Sequence, residues 1–156
     1  MVRTVRAWLF VPALPLLLAV TMACTSAEKE AELDDGAASA VAGQQVEADG
    51  GVYYDVSPEE LVSMLESKDF VVVNVHIPYE GEIEGTDLFI PYDDIGGRVE
   101  ELPSQLDAKI VLYCRSGSMS AIAASTLVGA GFTNVWNLDG GMIAWEEAGF
   151  PLVNAQ

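Results

Sequence analysis

From Val52 onward, short apolar runs alternate with stretches of helical periodicity. Phe70-Val71-Val72-Val73-Asn74-Val75 and Ile110-Val111-Leu112-Tyr113 are almost continuously apolar, as strands covered on both faces are. Tyr53-Tyr54-Asp55-Val56, Leu88-Phe89-Ile90 and Val135-Trp136-Asn137-Leu138 are further strand candidates, the second stopped by Pro91. Helices fall between them. Ser57 reads as an N-cap, Pro58 as the first helical residue and Glu60 as the closing member of a capping box, with Leu61, Met64 and Leu65 on the apolar face. Asp94 to Leu102 predicts a weak helix. Ser118 or Met119 to Ala130 predicts a strong one, built of small and apolar residues and ended at Gly131. A last helix is expected from Met142 to Ala148, opened by Gly140-Gly141 and closed by Gly149. Strands alternating with helices predict an α/β layer fold around a mainly parallel sheet.

The N-terminal region has a different pattern. Arg3 and Arg6 precede an apolar stretch over residues 8–20, and Thr21-Met22-Ala23 precede Cys24. Residues 1–23 therefore read as an export signal, too short and too proline-broken (Pro12, Pro15) for a membrane span. The segment resembles a bacterial lipoprotein signal. That resemblance implies that Cys24 carries lipid and becomes the first residue of the exported protein, held at the outer face of a membrane by acyl chains. Residues 24–50 read as an acidic flexible tether, with seven acids and no aromatic side chain between 25 and 50. The folded domain is expected over 51–156, long enough for one core without disulfides.

Without residues 1–23, five basic residues face 24 acidic ones, a formal charge of −19. Such a surface repels phosphate backbones and anionic headgroups, so nucleic-acid binding is set aside and membrane contact is expected through the lipid anchor alone. With Cys24 assigned to lipid, Cys114 is the one thiol of its domain. An unpaired cysteine in an exported domain is either a small buried hydrophobe or a reactive group.

The surroundings of Cys114 favour reactivity. A buried strand ends in Cys114, the loop Arg115-Ser116-Gly117 follows, and a helix begins at Ser118 or Met119. Carboxyl ends of strands in open α/β sheets are where ligands bind. A helix N-terminus offers free N–H groups and a positive dipole end, which favour a thiolate or an anion bonded to its sulfur.

The run from Cys114 to Pro151 is similar to the C-terminal half of a single-domain rhodanese, and the resemblance extends more loosely over residues 52–152. It rests on the Cys114 loop, the Ala-rich helix, Gly131-Phe132, Leu138, Gly140-Gly141-Met142, Trp145 and Gly149-Phe150-Pro151. It implies a three-layer α/β fold, with a central five-stranded, mainly parallel sheet and helices on both faces. It implies sulfur transfer, with Cys114 as the nucleophile that takes sulfur from a small donor and passes it to a thiol acceptor or a partner protein. Arg115, Ser116, Gly117, Ser118 and Met119 are the implied substrate-binding residues.

Three positions depart from the family pattern. Met119 stands where an arginine is frequent. Asn74-Val75-His76 replaces Asp-x-Arg, and Glu82 replaces the histidine of a Gly-His-Ile-Pro-Gly-Ala segment. Hydrogen bonds of Asn74 and His76 are expected to replace the lost Asp–Arg contact. A site short of cations on a strongly acidic domain suits thiosulfate, a dianion, poorly. The expected donor is a polysulfide, a low-molecular-weight persulfide or a protein. The competing reading is a non-catalytic module of the same fold that binds a sulfur species or a protein partner. A cysteine-type phosphatase is disfavoured because position 120 is Ser rather than Arg. His76 reads as a hydrogen-bonded structural residue, Glu80, Glu82 and Glu84 as a solvated face. No metal and no cofactor are expected, since no ligand set has metal spacing.

Overall fold

A computed structural model describes residues 43–154; the signal, Cys24 and most of the tether lie outside the described residues. The elements in chain order are β1 (Gln44–Ala48), β2 (Gly51–Val56), α1 (Pro58–Leu65), β3 (Val71–Asn74), β4 (Leu88–Phe89), β5 (Ile110–Tyr113), α2 (Ser118–Gly129), β6 (Val135–Leu138) and α3 (Gly141–Glu147). The sheet runs β1-β2-β6-β5-β3-β4. All pairings are parallel except that of β1 with β2.

Period-two alternation divides the core. Val73, Ile110, Leu112 and Val135 face α2, where they meet Ala123, Ala124, Leu127 and Val128. Val72, Val111, Tyr113 and Leu138 face α1 and α3, where they meet Leu61, Met64, Met142 and Trp145. The result is a three-layer α/β fold, and it explains why β3 and β5 are apolar on both faces. The capping box of α1 is present: Glu60 N–H donates to Ser57 Oγ at 3.2 Å, and Ser57 N–H to Glu60 Oε2 at 2.8 Å.

Two expectations need correction. The sheet has six strands, because residues 44–48 are not tether but β1. Asp49-Gly50 forms a two-residue hairpin loop, with Gly50 at φ 94°, and Val46 and Ala48 pack against the α2-side core. Residues 94–102 do not make one helix. They form two 3₁₀ turns, Ile95–Gly97 and Val99–Glu101, since Gly96-Gly97 favours no sustained helix.

Tyr113, fully buried at the end of β5, fastens the loop that follows β3. Its phenol oxygen accepts the Ile83 N–H at 3.0 Å and lies 2.7 Å from Thr86 Oγ1. The Thr86 hydroxyl donates to Ile83 O, so the phenol donates to Thr86. Burial pushes the Tyr113 phenol from its ordinary 10.0 up to about 12, against the opposing hydrogen bond from the Ile83 N–H. Its contribution to stability is complete below about pH 10 and lost as the pH rises through about 12. Tyr113→Phe strands the Ile83 N–H and is expected to cost about 1–3 kcal/mol at neutral pH. It should also flatten the alkaline loss of stability. Urea unfolding across that pH range measures both effects, and an equally steep decline in the variant contradicts the assignment.

Candidate active site

β5 delivers Cys114 to the carboxyl edge of the sheet, on the face that carries α2. Cys114 is 1% exposed. Ser120, in the first turn of α2, directs its hydroxyl at Cys114 Sγ (3.4 Å) and at Gly117 O (3.0 Å). Ser120 is fully buried and brings its hydroxyl within hydrogen-bonding distance of the sulfur. It was not among the residues expected at the site; the signal in the sequence is a serine six positions after the cysteine, on the inward face of the helix.

The loop between β5 and α2 has two sides. Its carbonyls are held by α3: Met142 N–H donates to Cys114 O at 2.9 Å and Ile143 N–H to Arg115 O at 3.0 Å. The N–H groups of Arg115, Ser116 and Gly117 find no acceptor among the described residues. The first N–H groups of α2 have no intrahelical partner by position. Gly117 takes φ 85° as the N-cap, and its backbone abuts Gly140. The loop therefore gathers unpaired donors and the positive end of α2 near Cys114, a setting suited to an anion.

Gly141 makes this grip possible. A β-carbon there would strike Cys114 O and lie 2.8 Å from both Arg115 C and Gly117 N, and the residue adopts φ 60°.

Of the other expected loop residues, Ser116 and Ser118 are exposed, with hydroxyls 3.5 Å apart, and Arg115 is half-buried. Met119 is half-buried against the α2-side core, an apolar contact as its side chain suggests.

β3 ends beside the loop, where Val75 N–H donates to Tyr113 O at 2.9 Å. Asn74 turns the chain there. Its Oδ1 accepts the His76 N–H and its Nδ2 donates to Gly81 O, both at 3.0 Å. Asn74 thus supplies the replacement contact expected of it, but the His76 ring does not. That ring is buried, and neither of its nitrogens makes a hydrogen bond among the described residues. Glu80 Oε2 stands 3.4 Å from His76 Nε2 and 3.2 Å from Arg115 Nε, so one carboxylate oxygen lies between the two side chains. Glu80 is thus paired at the surface, its side chain 42% exposed, in keeping with the solvated face expected of it. Glu82 is tied as well, accepting from Asn154 Nδ2 at 2.8 Å and bridging Val153, whereas Glu84 is exposed.

A cavity of about 430 Å³ opens at the carboxyl ends of β2 and β6, lined by Asp55, Glu60, Asp139 and Gly140 among others. Burial raises the Asp55 carboxyl, opposed by the Asn137 amide and reinforced by Asp139. Cys114 does not line this cavity, and its carboxylates disfavour an anion. Among the described residues no group of three or more His, Cys, Asp or Glu side chains could hold a metal ion.

Residues 57–148 match the rhodanese-like domain family, and the chain belongs to it. It is 36% identical over 103 residues to a sulfurtransferase of Allochromatium vinosum, covering 64% of this chain and 94% of that protein. It is 31% identical over 96 residues to the thiosulfate sulfurtransferase GlpE of Pseudoalteromonas translucida, covering 60% of this chain and 89% of that one. Among solved structures, a rhodanese-related protein of Thermoplasma volcanium superposes with a TM-score of 0.54 at 26% identity, over 64% of this chain and 96% of that one. Some relatives are longer: the chain spans 56% and 30% of two of them.

The grip of α3 on the loop gives a direct stability test. Gly149 also has a positive φ, 88°, but a β-carbon there meets nothing within 4 Å. Gly149→Ala is expected to cost about 1 kcal/mol from backbone strain alone. Gly141→Ala should cost at least about 2 kcal/mol more, because it also displaces the loop backbone. Urea denaturation of the two variants reads the difference; equal losses would mean that the loop yields freely.

Proposed function

We propose that this protein is an exported, lipid-anchored sulfurtransferase or persulfide carrier in which Cys114 is the nucleophile. The supporting observation is the placement of the single described thiol beneath a loop whose Arg115, Ser116 and Gly117 N–H groups are unpaired. In the first step the Cys114 thiolate attacks the outer sulfur of a donor. A new S–S bond forms as the donor's own S–S bond breaks, and the donor's inner part leaves with the electron pair. With thiosulfate the leaving group is sulfite. In the second step an acceptor thiolate attacks the terminal sulfur of the Cys114 persulfide, giving the acceptor persulfide and the Cys114 thiolate. No net oxidation occurs. The loop N–H groups, including those of Ser118 and Met119 at the start of α2, stabilise the persulfide anion, and Ser120 Oγ supports the inner sulfur.

The favoured donor is less charged than thiosulfate. The loop has Met119 rather than a cation at its fifth position, and Arg115 faces Glu80. Transfer from a persulfide of a small thiol to cyanide or to a second thiol is expected to be measurable in the wild type. It should fall to the uncatalysed rate in Cys114→Ser. Undiminished turnover in that variant, or none in the wild type, overturns the reading.

Cys24 is proposed as the lipid attachment point. Expressed with its signal in a bacterial host, the full chain should fractionate with membranes and enter the detergent phase. Cys24→Ala should appear in the soluble exported fraction. Identical partitioning of the two contradicts lipidation.

A further inference from the structure

Four basic side chains lie within the described residues, and three are occupied away from the site. Lys68 contacts Asp87 at 2.6 Å, Arg98 contacts Glu101 at 2.6 Å, and Lys109 lies 5.6 Å from the ring centroids of Phe70 and Trp136. Arg115 is the one basic side chain of the Cys114 loop, and its Nε is 3.2 Å from Glu80 Oε2. The same oxygen is 3.4 Å from the buried ring of His76. Glu80 thus offsets the one side-chain cation of the Cys114 loop, and its own side chain remains 42% exposed. Such an exposed pair adds little to stability, so its consequence lies in the local field.

We infer that Glu80 is a specificity-determining residue: by pairing with Arg115 beside the Cys114 loop it selects against dianionic sulfur donors. This rests on the sulfur-transfer reading above. The backbone N–H groups serve any persulfide alike, whereas the side-chain charge distinguishes donors that differ in charge. A carboxylate beside the Cys114 loop repels thiosulfate about twice as strongly as a monoanion at the same distance. Removing it also frees the Arg115 guanidinium.

The test compares thiosulfate with a small alkyl persulfide that carries no other charge. The quantity read is the ratio of their kcat/KM values in the full exported chain. Glu80→Gln keeps the size of the side chain and is expected to raise the thiosulfate-to-alkyl-persulfide ratio roughly tenfold. Glu80→Asp keeps the charge and should hold the ratio within about twofold of wild type. Adding Arg115→Gln to Glu80→Gln should return much of the gain. Salt gives a second readout: it should favour thiosulfate in the wild type by screening the repulsion, and do so less in Glu80→Gln. A merely structural Glu80 would lower both donors together and leave the ratio unmoved, which overturns the inference. A ratio that stays raised in the double variant also overturns it. If the wild type turns over neither donor, the sulfur-transfer reading fails and this inference with it. If it turns them over while Glu80→Gln leaves the ratio unchanged, this inference alone fails.

Discussion

Two hydrogen bonds from the start of α3, Met142 N–H to Cys114 O and Ile143 N–H to Arg115 O, fix the orientation of the loop around the thiol. They draw the loop carbonyls to one side, and the neighbouring N–H groups keep their donors free. Each bond contributes only about 1 kcal/mol by itself. Their effect is positional, because a peptide is planar and holding one carbonyl also orients the N–H bonded to the same carbon. The close approach requires Gly141, whose missing β-carbon leaves room for the loop backbone. Gly117 and Gly140 meet on the flank of the same contact. The sheet supplies the other constraint: alternation along β5 directs Cys114 toward α2, where Ser120 reaches its sulfur.

Around this backbone frame the side chains carry little net positive charge. Asn74 makes the local turn with neutral hydrogen bonds. Met119 contributes packing, and Glu80 faces the Arg115 guanidinium. The free donors of the frame are backbone groups, and the side-chain charge around them is low. The chain is strongly acidic, −17 over its full length, which adds a negative field at long range.

Much of the frame was legible in the residues. β3 and β5 declare themselves by apolar runs, α1 by Ser57-Pro58-Glu59-Glu60, and the position of Cys114 by the strand, glycine and helix that follow one another. What escaped depended on tertiary geometry. β1 was hidden because Gln44-Gln45-Val46-Glu47-Ala48 is too polar to stand out from an acidic segment, although Asp49-Gly50 was a turn signal. Ser120 touches the thiol only because α2 turns its first residues back over the loop. Glu80 reads as one of three spaced acids, and its pairing with Arg115 spans the gap between β3 and β5. The role of Gly141 was masked by its other plausible duty as a helix-opening residue.

The central claim, that the Cys114 loop stabilises sulfur bonded to this thiol, is tested most directly by intact-mass spectrometry after exposure to a small persulfide donor. The account predicts one added sulfur, mapped to Cys114, absent from Cys114→Ser and removed on addition of a thiol. An unmodified wild-type domain after the same exposure, or a sulfur adduct that persists in Cys114→Ser, would contradict it.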